Sequence, residues 1–353
     1  MAEFMKRRTV VFGRRRERSL RRKVNRIGEA AVESAILDKD VWLVWILDVL
    51  FRAPFGEHLV FKGGSSLSKG YQIISRFSED VDLTYDIRAL APELAGPGLD
   101  PLPMTRSQEK RWSKEIRTRL PVWIRDHVLP PIATALGNQG LVAALSMEGE
   151  KVFLEYTPLA AGSGYVRPVV MLEFGARSTG EPWESRLITC DAAPSVAGVV
   201  FPAADVRVMR PERTFWEKAT AIHVFCEQGE FRGSERFARH WHDLTRLDQA
   251  GVADAAIRDR SLATAVANHK SMFFSEKNAA GELIDYVAAV SGGPRLVPGD
   301  KALASLSLDY ARMLEDGLLF EDAEPFETLL NQCRALEART KPPDLDGSIA
   351  AIY

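Results

Sequence analysis

Residues 60–86 read VFKGGSSLSKGYQIISRFSEDVDLTYD, a Gly-Gly-Ser-Ser turn followed, about one helix later, by an Asp-x-Asp pair. Leu59, Val60 and Phe61 form a short apolar run of strand character, and Gly63 and Gly64 supply a tight turn. Ser65 or Ser66 is expected to cap the helix that starts there. A helix N-terminus presents N–H groups with no partner inside the helix, which suits an anion. Polar and apolar residues then alternate from Asp80 to Thr84, so Asp80 and Asp82 share one strand face while Val81 and Leu83 take the other. Two carboxylates on one face repel unless a cation lies between them. Mg²⁺ (or Mn²⁺) suits such a pair, because it takes oxygen ligands and shares them with substrate phosphates. The stretch therefore predicts a phosphate cradle beside a metal site. Lys62, Gly64, Ser65 and Ser66 are the nucleotide-binding candidates, and Asp80 and Asp82 the metal and catalytic ones. Taken singly, each half also fits an ordinary turn or a solvated strand edge. A Walker A loop is excluded, since no G-x-x-x-x-G-K-S/T occurs here.

The 353 residues allow two domains, or one large α/β domain with a helical extension. With 46% hydrophobic and 27% charged residues the composition is that of a globular protein, and no apolar run approaches the ~20 residues of a membrane span. A cytoplasmic protein is expected. Cys190, Cys226 and Cys333 are far apart and lack metal-site spacing, so they are expected as buried thiols. The net charge of −2 excludes a uniformly basic nucleic-acid binder. Basic charge is instead local: Lys6, Arg7, Arg8, Arg14, Arg15, Arg16, Arg18, Arg21, Arg22, Lys23 and Arg26 crowd residues 1–28. This segment reads either as a solvated tail or as an arm for phosphate backbones. Whether residues 1–4 are an expression scar stays open.

Outward from the motif, residues 29–52 have a broad apolar face and predict a core helix. Residues 92–103 read as a Pro/Gly loop, and 105–136 as one or two helices inserted into the fold. Their Lys110, Arg111, Lys114, Arg117 and Arg119 read as an exposed helix face, with a stripe for RNA phosphates as the alternative. A hairpin is expected over 141–156, then a strand at 169–174, VVMLEF. Its lone acid, Glu173, would need a partner or a metal on a buried strand, and Arg177 is the available ion-pair partner. Two further strands precede a helix that starts at Pro211 and ends near Gly229. Lys218 lies at the flank of its apolar stripe, where helical geometry predicts a surface lysine. The next helix, 235–248, carries His240, His242 and Asp243; histidines two apart do not face each other, so structural roles are expected for them. The remainder to residue 340 is helical by periodicity.

The order strand, Gly-Ser turn, helix, Asp-x-Asp strand resembles the opening motif of the polymerase-beta-like nucleotidyltransferases. FKGGSSLSKGY with RFSEDVDL, RTFWEKATAIH and ARHWHDLTRL are more specifically similar to the AbiEii/AbiGii toxin family, which includes the MenT-like toxins. The resemblance implies an α/β (α+β) fold: a nucleotidyltransferase core with a mixed sheet flanked by helices at 29–210, with the insertion near 105–136, and a mainly helical C-terminal domain at 211–353. It implies Glu173 as a third metal carboxylate, Lys218 as a catalytic contact to the triphosphate, and Asp243 as a catalytic base or orienting group. It further implies an NTP substrate, an RNA acceptor such as tRNA, arrested translation, and a cognate antitoxin protein. Two other functions remain open at this point: nucleotidyl transfer to a protein or small molecule, and a non-catalytic nucleotide- or RNA-binding regulator.

Overall fold

Strand β2 (Asp80–Tyr85) lies at the centre of a seven-stranded mixed sheet, and its period-two pattern is visible in its burial. Val81 and Leu83 are fully buried, whereas Asp80 and Asp82 are only half-buried on the opposite face. In the computed structural model, which describes residues 30–76, 80–96, 98, 101–159, 166–231, 236–315, 319 and 323–341, the strand order is β3-β4-β5-β2-β1-β7-β6. The other strands are β1 (Leu59–Lys62), β3 (Ala143–Glu148), β4 (Lys151–Tyr156), β5 (Val169–Gly175), β6 (Trp183–Thr189) and β7 (Ala203–Met209). β1 runs antiparallel to β2 and parallel to β7, and β2 runs parallel to β5. The expected hairpin pairs β3 with β4, and β6 pairs with β7, both antiparallel. The basic segment 1–28 lies outside the described residues.

One sheet face is roofed by helices. Helix α1 (Ala30–Arg52) is buried on all sides from Val41 to Leu47, which requires neighbours around its whole girth. Its Trp42 stacks on Tyr156 of β4 at 5.1 Å, and its Trp45 indole donates to Gln139 at 3.0 Å. Helix α2 (Gly63–Lys69) is tied to α1 by Lys69, whose ammonium sits 2.5 Å from Asp40 and 2.6 Å from Asp191.

Residues 105–136 depart from expectation. Helix α3 (Arg106–Trp123) continues through a π turn at Ile124–Val128 into α4 (Leu129–Gln139). Pro130 and Pro131 have no N–H to complete the α-helical ladder, and the turn absorbs the mismatch. This is no interruption: Trp123 stacks on Tyr85 of β2 at 3.9 Å and meets Phe174 of β5 edge-on, so the pair of helices forms part of the sheet's cover. The Pro/Gly loop also differs, starting with two one-turn helices at Ile87–Leu90 and Pro92–Ala95.

The described residues divide into two compact units, one within Met1–Gln72 and Phe77–Arg210, the other within Ile73–Arg76 and Pro211–Tyr353. The second unit is helical: α5 (Pro211–Gln228), α6 (Ala238–Gln249), α7 (Val252–Arg258), α8 (Arg260–Phe273), α9 (Tyr286–Val290), α10 (Asp300–Glu315) and α11 (Phe326–Thr340). Large aromatic residues fill its core with their polar atoms satisfied, Trp216 donating to the Ala256 carbonyl at 3.0 Å and Trp241 to that of Leu296 at 2.7 Å.

Candidate active site

At the β1–α2 junction Lys62 occupies the N-cap position, extended and without a side-chain cap. The serines therefore do not cap as expected. They fall inside the first turn, where the Ser66 hydroxyl donates to the Gly63 carbonyl at 2.8 Å and the Ser65 hydroxyl donates to the backbone carbonyl of Asp80. The second bond clamps α2 to the start of β2. The Lys62 side chain does not cap the leading N–H groups of the helix, and such groups at a helix start suit an anion. Gly63 has φ +77°, and a Cβ on it would lie 2.0 Å from Asp82 Oδ2. Turn and carboxylate are thus built against one another, and only glycine leaves room for that oxygen.

Across the outward sheet face, strand register aligns four charged residues: Lys62 opposite Asp82, Asp82 opposite Glu173, and Glu173 opposite Lys151. Asp80 shares the face two residues from Asp82. Glu173 does not sit on a buried strand face, as its apolar neighbours had implied. Val170, Leu172 and Phe174 are buried on the other side, while the Glu173 side chain is 47% exposed. It pairs at 3.0 Å with the Lys151 ammonium across the strands, where the sequence had offered Arg177. That hydrogen bond, together with the charges of Glu173, Asp80 and Asp82, raises the Lys151 pKa against its desolvation.

Among the described residues no group of three His, Cys, Asp or Glu is placed to hold a metal ion. Asp80 and Asp82 remain: two hard carboxylate donors on one face, beside a turn that glycine keeps open. This donor set fits a divalent cation that completes its shell with water and substrate phosphates, and does not fit a closed all-protein cage.

Lys218 and Asp243 are brought together in the helical unit. Their side chains meet at 2.6 Å, with Asp243 fully buried and Lys218 only 10% exposed, so Lys218 is not the surface lysine that its helical position predicted. Arg76 grips the same carboxylate with two bonds, Nε to Oδ1 at 2.6 Å and Nη2 to Oδ2 at 2.7 Å. Burial would raise the Asp243 pKa, but Arg76 and Lys218 outweigh it and hold the carboxyl well below its usual range. His242 Nδ1 lies 3.3 Å from Asp243 Oδ1. His240 is pushed down to about 3 by burial and then by Lys218, so it is neutral near pH 7. Among the described residues neither histidine belongs to a group placed to hold a metal ion.

The structure therefore gathers Lys62, Gly64, Ser65, Ser66, Asp80, Asp82 and Glu173 in the sheet unit, and Lys218 and Asp243 in the helical unit. Sequence reasoning missed Lys151 and Arg76. Register counted back from the 149–150 turn marks Lys151 as paired, but not with which strand; nothing local marks Arg76.

The family described as nucleotidyl transferase AbiEii toxin, type IV TA system, matches residues 45–332, a span that holds every one of these side chains. The chain belongs to the AbiEii nucleotidyltransferase toxin family. This AbiEii protein is accordingly an enzyme that transfers nucleotides. Among solved structures it is similar to the nucleotidyltransferase toxin MenT4 of Mycobacterium tuberculosis, at 15% identity and a TM-score of 0.36, over 91% of this chain and 98% of that one. No curated protein matches it. Among the described residues of this AbiEii chain, no helix is long and apolar enough to cross a membrane.

Proposed function

We propose that this enzyme transfers NMP from an NTP to a hydroxyl of an RNA acceptor, tRNA in particular, in the cytoplasm, blocking translation until a cognate antitoxin protein opposes it. The observation that carries the reading is the abutment of Gly63 on Asp82 Oδ2, which makes the anion cradle and the carboxylates one construction. The α2 N–H groups from Gly64 to Ser66, with Lys62 beside them, bind the phosphates. Asp80 and Asp82 hold Mg²⁺ or Mn²⁺, with Glu173 as a third carboxylate when it leaves Lys151. The ion, when bound, supplies charge stabilisation at the reacting phosphate. Lys218 acts as a point charge on the triphosphate. Asp243 is an orienting group and not the base, because Arg76 and Lys218 outweigh its burial and leave it little affinity for a proton. Exposed Lys110, Arg111, Lys114 and Arg117 on α3 support a phosphate-rich acceptor.

The test is labelling: protein, each NTP in turn, Mg²⁺ or Mn²⁺, and total tRNA. Label in RNA is expected, with Asp80→Ala reducing it by about a hundredfold or more. Label in protein or a small molecule but never in RNA would sink the RNA acceptor. NTP binding without turnover, by all four nucleotides, would leave only the regulator.

A further inference from the structure

The chain leaves the sheet unit between α2 and β2, and the excursion ends in Arg76. Ile73–Arg76 belongs with the helical unit, where Arg76 forms an isolated bridge with Leu319. Its side chain, 3% exposed, delivers the two bonds that fix both oxygens of Asp243, and Lys218 Nζ sits 2.6 Å from Oδ2. A carboxylate held by one ammonium can turn about its terminal torsion, which is a broad one. A lysine on a four-carbon stem can follow it. The planar guanidinium fork removes that freedom, since two parallel bonds define the plane of the carboxylate and so the point at which Lys218 is held.

Stability alone is a poor reason for this cluster. Replacing a buried ion pair or triad by apolar residues of similar volume is often neutral or stabilising, so three buried charges point to a task that needs them in place. We propose that Arg76 is a positioning residue of the transfer reaction: by locking the Asp243 carboxylate it holds the Lys218 ammonium in one place within the helical unit. This rests on the reading of Lys218 as a triphosphate contact.

The experiment is steady-state NMP transfer by the full chain, with KM for the NTP and kcat read separately for Arg76→Ala, Arg76→Lys, Asp243→Asn, Lys218→Ala and the Arg76→Ala/Asp243→Asn double variant. Arg76→Ala is expected to raise KM by about tenfold, and the double variant is expected to be no worse than Asp243→Asn, because residues that act as a unit are not additive. Arg76→Lys, which keeps the charge but not the fork, is expected to fall between, and carries the test if Arg76→Ala does not fold. Arg246→Ala breaks a different ion pair of the same unit, with Glu324, and is expected to lower Tm while leaving KM unchanged. The proposal is overturned by an unchanged KM in folded Arg76 variants, by losses that multiply in the double variant, or by an equal KM rise in Arg246→Ala. An unchanged KM in Lys218→Ala would instead overturn the role given to Lys218.

Discussion

Gly63 concentrates the residue-scale argument. The atom that a side chain would strike is the end of the Asp82 carboxylate, not backbone, so Gly63→Ala has an escape in turning Asp82 aside. The backbone at φ +77° adds about 1–2 kcal/mol of strain for a residue with a Cβ. Stability should therefore fall modestly, by about that amount in urea titration, while transfer activity falls by about a hundredfold because a carboxylate has been moved. A loss of stability with full activity would show that the position of Asp82 does not matter. The placement of Asp80 and Asp82 on one face was legible because strand alternation is local physics. The setting of Glu173 was not. VVMLEF looks buried on both sides, yet Met171 and Glu173 face outward, and which face of a strand is roofed depends on helices far away in sequence.

At the scale of elements, periodicity located the 105–136 helices but not their work. Their packing against β2 and β5 runs through Trp123, which touches Tyr85, Phe174 and Phe55 together. Trp123→Ala is expected to cost about 3 kcal/mol in equilibrium unfolding, the range for a large aromatic lost from a packed site. A cost under about 1 kcal/mol would restore these helices to the status of an insertion that the sheet can do without. The 141–156 hairpin was legible from its turn. That β4 then pairs antiparallel with β5, so that Lys151 meets Glu173, was not, since a long connection rather than a tight turn joins the two strands and leaves their register without a local mark.

For the whole molecule, the helical character of 211–340 was readable from spacing, whereas the charges at its centre were not. Those charges make stability depend on pH in a sense that can be worked out. His240 has a folded pKa of about 3 against an ordinary 6.5, so the unfolded chain binds its proton first. Its contribution is complete above pH 6.5 and is lost as pH falls toward 3, amounting to about 3–5 kcal/mol across that window. His223, also lowered by burial, acts in the same sense. Asp243 acts elsewhere: its lowered pKa contributes stability above 3.8 that is lost only in stronger acid. Melting temperature should therefore drop between pH 6.5 and 4, and His240→Gln should flatten the drop. An unaltered slope in that variant would place the proton uptake elsewhere.

The excursion of Ile73–Arg76 has a consequence for taking the molecule apart. The chain passes between the units at three places, after Gln72, after Arg76 and after Arg210. The helical unit is thus stitched in rather than appended, and no single cut frees it whole. A fragment starting at Pro211 would bury Asp243 without its guanidinium partner, and one ending at Arg210 would carry Arg76 without its carboxylate. Either piece separates a buried charge from its partner, so a graft between relatives would have to move four residues from the middle of one unit along with the whole of the other.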